Sequence, residues 1–327
     1  MSTYKKEVGT AVQNFAGDYT GAVQGQLWYN STAGSFQFRS VTTAGAWATG
    51  GSLNTARQVL GGTGTQTAAL ATGGGTPVSV AVTESYDGTS WTEVNDLNSA
   101  REQMGTAGTQ TSALAIDGLI TGIVESWNGT SWTEVNDLNT ARRLLAGAGV
   151  DNTSALAFGG FTTGPTGVKA QTESWNGTSW TEVNDLNTAR GYNLGGAGTQ
   201  TSALAFGGDT TGAEDLTGAT ESWNGTSWTE VNDLNTARRY LAGDGTDNTN
   251  ALAFGGFTPA KTGATESWNG TSWTEDTDLS TARDQLAGAG ASNTAALAFG
   301  GATTAVTAAT EEWTGAGAPV TETITTS

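Results

Sequence analysis

The chain has no cysteine and no histidine, only four prolines, and thirteen Lys and Arg against thirty-one Asp and Glu. Each shortage excludes something. Without Cys there are no disulfides, and without Cys or His the common Ser-His-Asp and Cys-His catalytic arrangements cannot be assembled. The ligands that most zinc and copper sites use are missing too. A formal charge of −18 opposes binding to nucleic acid or to anionic membrane surfaces. No stretch approaches the roughly 18 apolar residues of a membrane helix. Lys5 and Lys6 precede no apolar run of the secretory type. The expectation is a protein with no enzymatic activity, no cofactor or metal, no membrane insertion and no signal peptide.

What the chain does have is 48 Gly and 12 Trp in 327 residues. Glycine at this level without a collagen period points to tight turns and close backbone approaches, and the tryptophans supply a core. Internal repetition then decides the architecture. The phrase Leu-Asn-Thr-Ala-Arg, or a close variant, ends at Arg57, Arg101, Arg142, Arg190, Arg238 and Arg283. Ten residues before each Arg stands a Trp: Trp47, Trp91, Trp132, Trp180, Trp228 and Trp273. Between successive Arg residues runs an apolar segment that ends in small residues, such as Ala-Leu-Ala-Phe-Gly-Gly ending at Gly160, with Thr72-Gly-Gly and Ile116-Asp-Gly as looser versions. An aromatic residue follows, at Tyr86, Trp127, Trp175, Trp223, Trp268 and Trp313.

Each unit reads as four short strands, A to D. Asn128-Gly129 joins strands C and D as a two-residue type I′ hairpin, which pairs Trp127 with Thr130 and makes Trp132 a diagonal neighbour of Trp127. Sheets with aromatic faces must stack on one another, and radial stacking leaves only short protected edges. The expected fold is therefore all-β: a six-bladed β-propeller of four-stranded antiparallel blades over 46–327. A separate β-hairpin extension lies within 1–45. Either 46–53 or 319–326 supplies the last strand, and Trp47 favours the first.

The Gly pair after strand B, the Tyr/Trp-then-Trp of strands C and D and the Arg past strand D resemble the kelch family. That resemblance implies a kelch-like propeller and no single function. The first two units depart from it, with Thr72 and Ile116 in place of the aromatic near the Gly pair. Residues 25–39 are similar to short opening segments of bacteriophage tail-fibre and other virion proteins.

Chemistry is sparse. Paired carboxylates such as Glu134 and Asp137 recur in nearly every unit, as solvated or turn-stabilising groups do, whereas an active site would break the symmetry. The six Arg and the matching Glu84, Glu125, Glu173, Glu221 and Glu266 suggest an Arg–Glu or Arg–carbonyl lock between blades; the alternative is a guanidinium ring at the channel mouth. Variation concentrates after the Arg and between the Gly pair and strand C. The D-to-A and B-to-C connections share one face of an up-and-down propeller, so one face is diverse and the other uniform. Loops on a rigid scaffold are the usual place for recognition. The candidate binding residues are Gln58, Glu102, Gln103, Arg143, Tyr192, Asn193, Arg239, Tyr240, Asp284 and Gln285. The expected role is a virion tail-fibre or receptor-binding protein, made in the host cytoplasm and carried on the extracellular particle. Residues 1–45 would contact other virion proteins, the variable face would meet a host-surface glycan or protein, and the chain would form homo-oligomers in the particle. Alternatives are an architectural or decoration protein of the head or tail, and an intracellular kelch-like adaptor.

Overall fold

The computed structural model describes residues 12–17, 19, 26–41, 44–163, 167–211, 215–317 and 319–324. It is all-β and divides into two compact units, 45–314 and 1–44 with 315–327. Most of the expected attachment segment before the hairpin, residues 1–11 and 20–25, lies outside the described residues.

Residues 45–314 form a six-bladed β-propeller. Blade 3 illustrates the unit: strands A (Ala146–Asp151), B (Ser154–Phe158), C (Thr172–Trp175) and D (Trp180–Val183) pair antiparallel in sequence order. Blades 1, 2, 4 and 5 repeat it over 61–94, 105–135, 195–231 and 242–275. In blade 6, strands A to C come from 287–314 and the fourth strand is Ala46–Thr49, with Trp47 opposite Trp313. The earliest strand of the propeller therefore hydrogen-bonds to the latest, and the ring closes.

The Ala-Leu-Ala-Phe pattern of strand B explains the packing. Side chains alternate between the two sheet faces, and both faces are buried between blades. Leu156 and Phe158 pack on Trp223 and Trp228 of blade 4. Ala155 and Ala157, small enough to lie beneath Trp175 and Trp180, meet blade 2 instead. Six such clusters, one per blade junction, make up the core. At four junctions the Phe ring of one blade sits 4.9–5.1 Å from the strand-D Trp of the next. Thr72 and Ile116 stand in that position at the other two.

The C-to-D connection differs from the two-residue turn expected from Asn-Gly. Trp127 lies directly opposite Trp132, ring centroids 5.3 Å apart, across a four-residue loop, 128–131. The physical reason is the Asn128 side chain: its Oδ1 accepts the N–H groups of Thr130 and Ser131, both at 2.9 Å. That local bond favours a longer loop over a I′ turn. Only Gly129 then needs a positive φ, +89°.

The second unit is more than a hairpin. Gln13–Phe15, Leu27–Asn30, Ser35–Val41 and Pro319–Thr323 form one four-stranded sheet. The C-terminal strand thus pairs with Ser35–Val41 and leaves the propeller, whose expected boundary at 327 moves back to 314. Alternation puts Trp28, Asn30 and Gln37 on a buried face, while Leu27, Tyr29 and Phe36 take the opposite face, with Leu27 and Phe36 exposed.

Candidate functional site

The repeat Arg residues are structural. Each guanidinium is fully buried and pairs with the strand-C Glu of the blade that its linker enters, at 2.8–3.1 Å from Arg57–Glu84 round to Arg283–Glu311. The same carboxylate organises the rest of the phrase. Glu221 accepts from Arg190 Nη2, from the backbone N and Nδ2 of Asn187, and from the Thr188 N–H. Asn187 Nδ2 also donates to the Trp228 carbonyl. Leu-Asn-Thr-Ala-Arg and its Glu therefore recur together because they form one buried hydrogen-bonded network, in which the Arg190 Nε is left without an acceptor. Burial pushes the Arg190 pKa down to about 10, opposed by Glu221, which leaves the guanidinium charged at neutral pH. No guanidinium ring faces the channel mouth.

The mouth is formed by the residues that follow those Arg. Val59, Gln103, Leu144, Tyr192, Asn193, Tyr240 and Gln285 all have φ between +47° and +64°. Their N–H and C=O groups form a circle of bonds. Gln103 donates to Val59, Leu144 to Gln103, Asn193 to Leu144, Tyr240 to Tyr192, Gln285 to Tyr240 and Val59 to Gln285, at 2.7–3.2 Å. Blade 4 takes one extra residue into the circle, so Tyr192 and Asn193 share a place that a single residue fills elsewhere. The left-handed backbone costs a non-glycine residue about 1–2 kcal/mol; ring closure and a packed linker hold it there.

In five of the six blades the residue preceding the circle pairs with the B-to-C loop of its own blade. Gln58 bridges to Gly75, Arg143 to Phe161, Gly191 to Asp209, Arg239 to Phe257 and Asp284 to Ala302. The D-to-A and B-to-C connections thus share one face. In blade 2 the loop is shorter, and the Asp117 carboxylate accepts the Arg142 N–H at 2.6 Å.

The ten candidate residues occupy this face but divide unevenly. Over blades 3 to 5 lies a row of rings and cations. Arg143 stands 5.6 Å from the Phe161 ring, and Phe161 5.4 Å from Tyr192. Arg239 lies 5.2–5.6 Å from the rings of Tyr192, Tyr240 and Phe257 and forms an ion pair at 2.8 Å with Asp209 of the previous blade. Lys261 reaches Asp284 at 2.7 Å, linking blade 5 to blade 6. Burial raises the Tyr240 hydroxyl pKa. Gln58, Glu102, Gln103, Asp284 and Gln285 belong to blades 1, 2 and 6, where the loop partners are small. All ten are buried or half-buried, so the face is a firm rim.

Below the mouth, the six A strands surround a channel with about 750 Å³ of space, part of it open to solvent. Its wall is Gly- and Ala-rich because neighbouring strands almost touch. A Cβ on Gly62 would stand 2.4 Å from the Gly288 carbonyl, and one on Gly147 2.4 Å from that of Thr106. Thr63, Thr106, Asn193 and Asp244 carry the polar side chains of the wall. Asp244 breaks the symmetry, standing where other blades have Thr63, Ala107, Ala148, Ala197 and Ala289. Its carboxylate accepts from Gly245 N at 2.7 Å and, across the junction, from Gly290 N at 2.6 Å. Burial pushes its pKa up to about 7 despite both bonds. Asp244 was missed in the sequence reading; aligning the A strands would have found it.

Among the described residues, no group of three or more His, Cys, Asp or Glu is placed to hold a metal ion. No protein-family model matches the chain, and no curated protein matches it.

Proposed function

We propose that this protein is a recognition component of a bacteriophage virion, of the tail-fibre or receptor-binding kind, built on a kelch-like propeller. The observation that carries this reading is the unequal variation of six near-identical units. The Asn-Gly loops of one face repeat almost unchanged, whereas the opposite face gathers Arg143, Phe161, Tyr192, Arg239 and Tyr240 on half of its rim. Drift would loosen both faces. Tyr and Arg on a rigid frame are the residue types that dominate binding hot spots. The likeness of residues 25–39 to virion opening segments supports the setting, and the ligand class is a host-surface glycan or protein.

A second reading is an architectural or decoration role in the virion. It is favoured by the exposed apolar face of the terminal sheet, where Leu27 and Phe36 are 40% and 46% exposed. An apolar sheet face of this kind suits packing against another subunit.

Binding of labelled protein to intact bacteria separates the two. The first reading expects saturable binding that Tyr192→Ala and Tyr240→Ala weaken, with melting temperatures confirming that each variant folds. Absence of wild-type binding to every strain tested would transfer the function to the architectural reading.

A further inference from the structure

Resting on the reading of this rim as a recognition surface, we infer that the half-rim over blades 3 to 5 binds an acidic saccharide, with Arg143 as the reader of its carboxylate. The first support is the distribution of cations. The propeller segment holds ten Lys and Arg, and six of them are spent in the buried Arg–Glu pairs. The other four, Arg143, Lys169, Arg239 and Lys261, all lie in linkers and loops of blades 3 and 5 on this one face. In a protein of charge −18 this half-rim holds every propeller cation outside the buried pairs, with Asp209, Asp215 and Asp284 on the same face, so attraction for an anion falls to whichever cation those carboxylates leave unpaired.

The second support is what these cations do. Arg239 and Lys261 are neutralised by Asp209 and Asp284. Arg143 and Lys169 have no carboxylate partner among the described residues. The Nε of Arg143 is buried with no acceptor, and Asn193 Oδ1 is a buried acceptor with no donor. An Arg Nε without an acceptor also occurs at five of the six buried repeat Arg, so what sets Arg143 apart from them is the lack of a carboxylate partner. The Arg143 guanidinium is held against Phe161, so its fork is pre-positioned for a carboxylate.

The third support is the shelf beside it. Tyr192 and Tyr240 are half-buried and edge-to-face, ring centroids 6.1 Å apart, and neither hydroxyl has a hydrogen-bond partner among the described residues. Arg239 lies over both rings and Phe161 packs on Tyr192, so each Tyr offers a pyranose its remaining apolar surface and its hydroxyl. A phosphate polymer would need several cations and would be opposed by the overall charge.

The test is an array of paired oligosaccharides, neutral hexose oligomers and their uronic-acid counterparts, probed with wild type, Arg143→Gln and Arg143→Lys. Intact bacteria are assayed in parallel. Loss of a charge-assisted bond should weaken uronic-acid binding about 10- to 100-fold in Arg143→Gln. Arg143→Lys should recover part of it, added salt should weaken the wild type, and melting temperatures should be unchanged. Equal binding of neutral and acidic partners, or Arg143→Gln binding like wild type, overturns the acidic-saccharide assignment and leaves the recognition reading standing if cells still bind. No binding to the array or to cells overturns both.

Discussion

Glu221→Gln tests the buried network that the repeat phrase encodes. The carboxylate accepts four hydrogen bonds, two at each oxygen, from Arg190, Thr188 and Asn187. An amide keeps the shape but offers one acceptor, so two donors would face an N–H₂ group and the guanidinium would lose its counter-ion while staying buried. Removing one partner of a buried ion pair costs about 3–5 kcal/mol. For a propeller of this size that is a melting shift on the order of 10 °C. The control is Glu182→Gln, on the exposed edge of strand D, where the cost should stay within about 0.5 kcal/mol. Thermal and urea unfolding followed by Trp fluorescence read both. A Glu221→Gln loss below about 1 kcal/mol would refute the argument that this network locks linker to blade.

Three further predictions concern places where one blade departs from the rest. At the junction of blades 2 and 3, Trp180 Nε1 is buried without an acceptor because Val124 replaces the Thr that serves the strand-D Trp at the other junctions, as Thr172 serves Trp228. Val124→Thr should stabilise by about 1 kcal/mol in urea unfolding; no gain would mean that the indole already finds a partner. Asp244 holds a proton in the folded state up to about pH 7, above its ordinary value of 3.8. The unfolded chain has lost that proton, so stability falls as pH rises through this window, by at most about 1.4 kcal/mol per unit. Asp244→Ala, which restores the residue of four other blades, should remove that part of the slope, and identical slopes would reject the assignment. At the mouth, Gln103→Pro reverses a φ of +64° and deletes the bond to Val59, at a cost of about 3 kcal/mol or more. Gln103→Gly should be neutral or slightly stabilising, and the reverse order would remove the closed circle as an explanation of the left-handed linkers.

Much of the propeller was readable because its sequence states the same structure six times. The Trp spacing, the Gly pair and the alternating Ala-Leu-Ala-Phe each carry a periodic signal that packing enforces. The misreadings have local causes. Asn-Gly suggests a two-residue turn by dihedral preference alone, whereas the Asn128 side chain caps two N–H groups and lengthens the loop. The circle at the mouth was invisible because Val, Gln, Leu and Tyr advertise no left-handed backbone; only closure of the ring imposes it. Pro319–Thr323 could not be assigned to the terminal sheet, since strand pairing over such a distance leaves no mark in either segment. At the rim, the variable positions were readable as a set. Their division into an aromatic, cationic half and an amide, acidic half needed the spatial order of the blades and the loop partners Phe161, Asp209, Phe257 and Lys261.

The central claim is that recognition belongs to the rim over blades 3 to 5, and amide hydrogen exchange tests it most directly. The protein would be compared free and with surface polysaccharide from a bacterium to which it binds. The account predicts slowed exchange at 143–145, 191–193 and 239–241, with the loops 128–131, 176–179 and 224–227 of the opposite face unchanged. Protection confined to those opposite loops or to the terminal sheet would contradict it.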